Sequence, residues 1–183
     1  MLDKRILAAA VLGSALGLAT VTFAAGPPMV TTLEGAKTQE GAKFVDGKWV
    51  TPEGVATYHI KPDGKVDWMT HSGFRRYHAE CHVCHGPEGE GSTYAPALVD
   101  SMKTMTYDEF VGVIASGRVR HLPAGGESVM PALGDNKNVM CYVEDIYVYL
   151  KARADGALSR GRPPARDDKP KELDEFEKAC LAG

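Results

Sequence analysis

The sequence predicts an all-α core, preceded by a hairpin-containing extension and followed by a C-terminal tail. After Ser72, apolar residues recur at helical spacing and a sheet-forming alternation is missing. Before Ser72, short apolar runs flank Asp-Gly pairs, which is typical of hairpins. The chain has 183 residues, of which 44% are hydrophobic and 25% charged. This composition indicates one folded core rather than a disordered chain.

The first 25 residues resemble a secretory signal peptide. Lys4 and Arg5 precede an apolar run over residues 6–23 that closes on small residues. We expect residues 1–25 to be cleaved and the protein to be periplasmic; a retained membrane anchor is the alternative, since about 20 apolar residues span a bilayer. The formal net charge of −3 argues against a nucleic-acid partner.

Residues 26–71 are predicted to form an extension on the core. Two segments, KFVDGKWV and YHIKPDGKVDW, are each centred on an Asp-Gly pair and predict short hairpins. Several prolines limit regular structure there. We expect a clasp that lies on the core and is anchored by Trp49 and Trp68.

Residues 72–155 carry three helical signals. Ser72 is predicted to be the N-cap of a first helix that leads into a cysteine pair. A second helix is predicted over residues 106–116, beginning with a Thr-x-x-Glu capping box and ending at a glycine. The third spans residues 138–154, and its apolar face should pack against the first helix.

Residues 156–183 form the predicted tail. A polar, proline-rich stretch leads to a short amphipathic run over residues 171–181. A disulfide between Cys141 and Cys180 would pin this tail to the core in an oxidising compartment. Closing a loop of about 40 residues contributes roughly 3–4 kcal/mol by the loop-entropy account. Two unpaired thiols are the alternative.

The segment CHVCH, residues 81–85, has the C-x-x-C-H pattern. Two thiols one helical turn apart suit attachment to the two vinyl groups of a haem, and the next residue offers an imidazole to the iron. A thioredoxin-type pair needs a βαβ context that is absent. A zinc site needs another close ligand pair, and the other cysteines are far apart. The pattern predicts one covalent haem on Cys81 and Cys84, with His85 as iron ligand.

The residues around this motif resemble the class I cytochromes c. CHGPEGEG is followed by Pro96 and preceded by Phe74, seven residues before Cys81, and the resemblance covers about residues 72–154. It implies a class I cytochrome c helical fold around one covalently attached haem. It also implies that the Pro96 carbonyl accepts a hydrogen bond from the His85 ring, which fixes the tautomer of the ligand.

Met130 is the predicted second axial ligand. It precedes the last core helix, and with Pro131 it resembles the Met-Pro of class I distal loops. A thioether opposite an imidazole closes the iron and suits electron transfer. His121 is the alternative, in a bis-histidine site. Iron without a second protein ligand would be open to a gas or peroxide.

A longer stretch carries a more specific resemblance. SVMPALGDNKNVMCYVEDIYVYLKARADGALSRGRP, with STYAPAL upstream, resembles the four-cysteine c-type cytochromes of methanol metabolism and those paired with quinoprotein ethanol dehydrogenases. This implies a carrier, not an enzyme, that takes single electrons from a PQQ-dependent alcohol dehydrogenase and passes them to a downstream cytochrome or oxidase. We expect a monomer. The alternatives are a haem-based gas sensor, a small peroxidase, or a haem subunit fixed in a larger complex.

Overall fold

The computed structural model describes residues 29–31, 35–121 and 125–183. Its helices are α1 (Trp68–Glu80), α2 (His82–His85), α3 (Leu98–Ser101), α4 (Tyr107–Ser116), α5 (Lys137–Met140), α6 (Val143–Ala154) and α7 (Lys171–Ala182). Its strands are β1 (Met29–Thr31), β2 (Lys37–Gln39), β3 (Lys43–Val45), β4 (Lys48–Val50), β5 (Ala56–Thr57), β6 (His59–Ile60), β7 (Arg118–His121) and β8 (Glu127–Met130). The predicted signal peptide, residues 1–25, lies outside the described residues. Within them, no helix has the length and apolarity needed to cross a membrane.

The prediction of an all-α fold is wrong. Helices form the core, but the strands make three sheets among the described residues, in the orders β1-β2-β6, β3-β4-β5 and β7-β8. The antiparallel β7–β8 hairpin lies in the part of the chain for which no strand was predicted. Seven of its eight strand residues are exposed or half-buried. Its sequence therefore lacks the alternation that marks a half-buried strand.

Helices α1 and α6 cross at the centre of the core. A Cβ on Gly73 would lie 1.9 Å from the backbone oxygen of Asp145, so this close approach requires a residue without a side chain. The α6 face with Ile146, Tyr149 and Leu150 is fully buried, and α6 packs on α1 as predicted. This crossing fixes the direction in which α1 delivers the cysteine pair.

Helix α1 begins earlier than predicted. Its N-cap is Asp67, whose carboxylate accepts a hydrogen bond from the Thr70 backbone nitrogen at 3.0 Å. Ser72 lies inside the helix and is buried, so its assignment as the N-cap is wrong. Its side chain instead lies beside the Asp145 carboxyl group across the helix crossing. Helix α1 thus continues across the predicted limit between extension and core.

The other core helices agree with the sequence in type and differ in one boundary. The capping box of α4 is present: Glu109 N donates to Thr106 Oγ1, and Thr106 N donates to the Glu109 carboxylate. The helix predicted over residues 138–154 is divided into α5 and α6, with Cys141 and Tyr142 between them.

Both predicted hairpin segments fold back on themselves. Strands β3 and β4 pair around Asp46 and Gly47, as predicted. The second turn is shorter: Lys61 N donates to Lys65 O at 2.8 Å and Asp67 N donates to His59 O at 3.0 Å, beside an isolated bridge between Ile60 and Val66. The other edge of β6 pairs with β2. Trp49 stacks on the ring of His59 with centroids 4.0 Å apart, which anchors β4 to β6.

The C-terminal tail is fixed to the core at several points. Cys141 and Cys180 form a disulfide, which confirms the predicted pairing. The hydroxyl of Tyr142 donates to the Glu177 carboxylate of α7 at 2.6 Å. The guanidinium of Arg166 lies over the Trp68 ring, 4.6 Å from its centroid. The tail therefore packs beside the start of α1.

Candidate haem site

A cavity of about 440 Å³ lies between the cysteine-bearing turn and the β7–β8 hairpin. It is lined by all five residues predicted for the haem site: Cys81, Cys84, His85, Pro96 and Met130. Among the described residues, no group of three or more His, Cys, Asp or Glu side chains could hold a metal ion.

The two thiols stand at the junction of α1 and α2. Cys81 ends α1, where its backbone nitrogen donates to the Tyr77 carbonyl at 2.9 Å, and Cys84 lies within α2. Neither is in a disulfide. Burial raises the pKa of the Cys81 thiol to about 12. A thioredoxin-type pair relies on a thiol whose pKa is lowered, so the direction of this shift does not favour such a pair.

The His85 ring is held in the tautomer that a metal ligand requires. Its Nδ1 lies 3.0 Å from the Pro96 carbonyl oxygen, and the residue is buried. A carbonyl only accepts, so Nδ1 carries the proton and donates it, and Nε2 keeps its lone pair for a metal. The backbone also fixes this turn, because His85 N donates to Cys81 O and Gly91 N donates to His85 O.

Met130 reaches the cavity at the end of β8. The chain after it is tied to α4 by a hydrogen bond from Leu133 N to Ile114 O at 2.9 Å. Gly117, with a φ of 70°, packs against the same segment, and a Cβ there would lie 2.5 Å from the Met130 carbonyl oxygen. The position of Met130 therefore depends on contacts between separate elements.

His121 lies away from the cavity. In an antiparallel pair, residues opposite each other point to the same face, and successive residues alternate. Arg118 pairs with Met130, and His121 pairs with Glu127. His121 is thus on the outer face, where its side chain is 83% exposed and its Nδ1 lies 3.1 Å from the Glu127 carboxylate. The structure brings Met130, and not His121, to the lining.

Known proteins match this arrangement in sequence and in structure. Cytochrome c-555 from Methylococcus capsulatus is 37% identical over 97 residues, which cover 52% of this chain and 72% of that protein. The crystal structure of the c-type cytochrome XoxG from Methylobacterium extorquens AM1 matches with a TM-score of 0.70 and 58% identity, over 76% of this chain and 85% of that one. The chain belongs to the c-type cytochromes.

Two further matches extend this family membership. The cytochrome is 54% identical over 138 residues to cytochrome c-553I from Paracoccus denitrificans; the match covers 75% of this chain but spans only 61% of that protein's length. The family model for cytochrome c oxidase, cbb3-type, subunit III, matches residues 69–150. The resemblance to c-type cytochromes is thus confirmed, and the protein carries covalently attached haem c with its iron.

The inner face of the hairpin adds residues that the sequence did not single out. Arg118 and Arg120 line the cavity beside Ser128 and Met130. Two guanidiniums in a largely apolar lining suit the two carboxylates of a haem. The signal in the sequence is the alternation Arg-Val-Arg shortly before Met130. Alone, this alternation indicates an exposed strand, and only the pairing with β8 shows that both arginines lie on the cavity side.

The loop after His85 is tied to the end of α6 by a charged network. Arg153 lies 3.5 Å from the Glu88 carboxylate, and Arg160 lies 3.1 Å from that of Glu90. Gly161 N donates to the Glu88 carboxylate at 2.9 Å. These contacts hold the glycine-rich loop that leads to Pro96, and thereby support the acceptor of the His85 hydrogen bond.

Proposed function

We propose that this cytochrome is a periplasmic carrier of single electrons that accepts them from a PQQ-dependent alcohol dehydrogenase. One observation carries the proposal: an imidazole and a thioether, from His85 and Met130, line the same largely apolar cavity. When bound, haem c supplies a one-electron couple. The chain's own residues orient it and exclude water.

The proposed site consists of Cys81 and Cys84 as attachment residues, His85 and Met130 as axial ligands, and Pro96 as the hydrogen-bond acceptor of His85. An iron with both axial positions filled by the protein is suited to electron transfer. A gas sensor or peroxidase would need an open position with a polar base. In the described part of the lining, His85 is the only histidine, and the only carboxylate is that of exposed Glu80.

An apolar surface around the cavity supports a transient redox partner. Val83, between the two cysteines, is 82% exposed, and Tyr94, Val119 and Val129 are exposed as well. We call these four side chains the rim patch. Small patches of this kind suit weak, short-lived complexes of electron-transfer proteins. The resemblance to cytochromes of methanol metabolism supports an alcohol dehydrogenase as the donor, with a downstream cytochrome or oxidase as the acceptor of electrons from a monomer.

The experiment is stopped-flow mixing of the ferric cytochrome with a purified PQQ-dependent methanol dehydrogenase and methanol. We expect one electron to be transferred per cytochrome, with a second-order rate constant that depends on salt. Val129→Glu should lower that rate constant about tenfold, since a rim charge mainly changes association. Val45→Glu is the matched control, because Val45 is 45% exposed and Val129 is 47% exposed. Val45 lies outside the cavity lining, on β3.

Two results would contradict the proposal. One is a ferric cytochrome that dithionite reduces at once but PQQ-dependent dehydrogenases do not reduce. The other is an equal effect of the two glutamate substitutions, which would exclude the rim patch as the docking surface.

A further inference from the structure

A chain of hydrogen bonds runs from the cysteine-bearing turn to the strand that carries Met130. The Ser92 hydroxyl donates to the Cys84 carbonyl at 2.6 Å and accepts from the backbone nitrogens of Tyr94 and Ala95 at 3.1 Å. The Ser128 hydroxyl donates to the Tyr94 carbonyl at 2.5 Å. We call this chain of contacts the Ser92–Ser128 bridge.

The distal end of the bridge is buried at Ser128. This side chain is 7% exposed and precedes Met130 by two residues, on the same face of β8. The Tyr94 hydroxyl adds a weaker contact, 3.3 Å from the Val129 carbonyl oxygen, to which it donates. Together these contacts fasten β8 to the loop that leads to Pro96.

The β7–β8 hairpin needs a contact to the rest of the protein, because the pairing of its two strands alone does not hold it in place. Among the described residues, β8 pairs with β7 and with no other strand. A two-stranded hairpin is marginally stable by itself in water. On the far side of Met130, the Leu133 N to Ile114 O hydrogen bond fixes the chain to α4. On the N-terminal side of Met130, the buried hydrogen bond from Ser128 to the Tyr94 carbonyl fixes the chain.

We propose that Ser128 is a positioning residue that keeps Met130 at the iron through its hydrogen bond to the Tyr94 carbonyl. This inference rests on the proposal that Met130 is an axial ligand. Tyr94 precedes Pro96 by two residues, and Pro96 holds the His85 ring. The bridge therefore connects the supports of both proposed axial ligands.

Imidazole binding to the ferric holoprotein measures this positioning. Imidazole occupies the iron only when Met130 leaves, so its apparent affinity reports the population with Met130 displaced. Ser128→Ala should bind imidazole about five- to tenfold more tightly, as the loss of one ordinary buried hydrogen bond predicts. Ser128→Thr keeps the hydroxyl and should remain close to the wild type. Tyr94→Phe should shift affinity in the same direction by about twofold.

Ser116→Ala is the matched control. Ser116 lies outside the cavity lining, and its hydroxyl donates to the Gly112 carbonyl within its own helix, α4, at 2.7 Å. Its imidazole affinity should equal that of the wild type. The charge-transfer band of iron bound to methionine sulfur gives a second readout, and it should weaken in Ser128→Ala alone of the serine variants.

Met130→Ala separates the two proposals. If Met130→Ala binds imidazole much more tightly than the wild type while Ser128→Ala does not, the positioning role is overturned and the ligand assignment stands. If Met130→Ala leaves the affinity unchanged, the ligand assignment fails and the inference fails with it. A Ser128→Ala protein that loses thermal stability but keeps wild-type imidazole affinity also overturns the positioning role, since the serine would then be merely structural.

Discussion

The two walls of the haem cavity are built in different ways. In the proximal wall, residues 81–96, the turn that carries His85 is fixed by contacts inside one short segment, from His85 to Cys81 and to Pro96. Its glycine-rich loop is also tied to the end of α6 and to the tail by Glu88. The distal wall, residues 117–134, is held by contacts to distant elements, such as the hydrogen bond from Ser128 to Tyr94. The proximal ligand is thus fixed by a local motif, and the proposed distal ligand by the packing of separate elements.

Substitutions in the two walls should therefore have different effects. A change behind the proximal wall should unfold the protein, because α1 and α6 support it from the core. A change in the distal wall should release Met130 and leave the fold intact, because the exposed β7–β8 hairpin contributes little to the core.

The largest expected effect is that of Gly73→Ala, behind the proximal wall. The new Cβ would overlap the Asp145 backbone oxygen, and two packed helices cannot relax around such a contact. We expect the free energy of unfolding of the holoprotein to fall by more than about 4 kcal/mol. Denaturant unfolding measures it. Gly112→Ala in α4 has open space and should be neutral or stabilising by up to about 1 kcal/mol. Equal losses in both variants would contradict the account.

Removal of the disulfide tests whether the tail supports either wall. The double variant Cys141→Ser, Cys180→Ser should lose about 3 kcal/mol of unfolding free energy. Its visible spectrum should stay unchanged, since α7 contributes no residue to the cavity lining. Lys137→Ala removes an exposed contact to Leu181 between the same segments and should cost at most about 0.5 kcal/mol. An altered spectrum in the double variant would show that the tail acts on the haem.

Gly117→Ala tests the distal wall. Its Cβ would overlap the Met130 carbonyl oxygen, so we expect loss of the methionine–iron charge-transfer band. Gly156→Ala is the control for backbone strain: both glycines have a φ of 70°, but nothing lies within 4 Å of a Cβ at Gly156. Gly117→Ala should lose about 2 kcal/mol more than this control. A band that survives in both variants would contradict the proposed role of Gly117.

Taken over one pH unit, the smallest effect is the pH dependence of stability. Burial between α1 and α6 raises the pKa of Asp145 from 3.8 to about 7. The folded state therefore binds this proton more tightly than the unfolded state, and stability from this group declines as pH rises from about 4 to 7. Asp145→Asn should remove a slope of about 1 kcal/mol per pH unit over that window. Denaturant unfolding at pH 5, 6 and 7 measures it.

Asp174→Asn is the control for the pH experiment. Hydrogen bonds from Lys178 and Lys169 lower the pKa of Asp174, so its contribution to stability has the opposite sign. This variant should keep the decline between pH 5 and 7. If Asp145→Asn also keeps the decline in unfolding free energy between pH 5 and 7, the buried Asp145 carboxyl group does not cause that decline.

The proximal wall was predictable from sequence because its residues are close together in the chain. The spacing of Cys81, Cys84 and His85 expresses the geometry of one helical turn, and the resemblance added Pro96. The Thr106 capping box was predictable for the same reason. For the cysteine turn and the capping box, the separation of the residues along the chain already fixes their separation in space.

The distal wall and some boundaries were not predictable because tertiary contacts decide them. The β7–β8 hairpin is mostly exposed, so no apolar alternation marks it, and the all-α prediction missed it. Ser72 has the chemistry of an N-cap, but it lies inside the helix beside Asp145 of another helix, and Asp67 caps α1. The roles of Ser128 and Arg118 depend on the strand register, which only the fold reveals.

The central claim is that the chain closes both axial positions of the iron, with His85 from the proximal wall and Met130 from the distal wall. The most direct test is the absorption spectrum of oxidised and reduced holoprotein, for the wild type and Met130→Ala, before and after addition of carbon monoxide. We predict a low-spin wild type with the methionine–iron charge-transfer band, no carbon monoxide binding, and loss of the band in the variant. A wild type that is high-spin or binds carbon monoxide readily would contradict the claim.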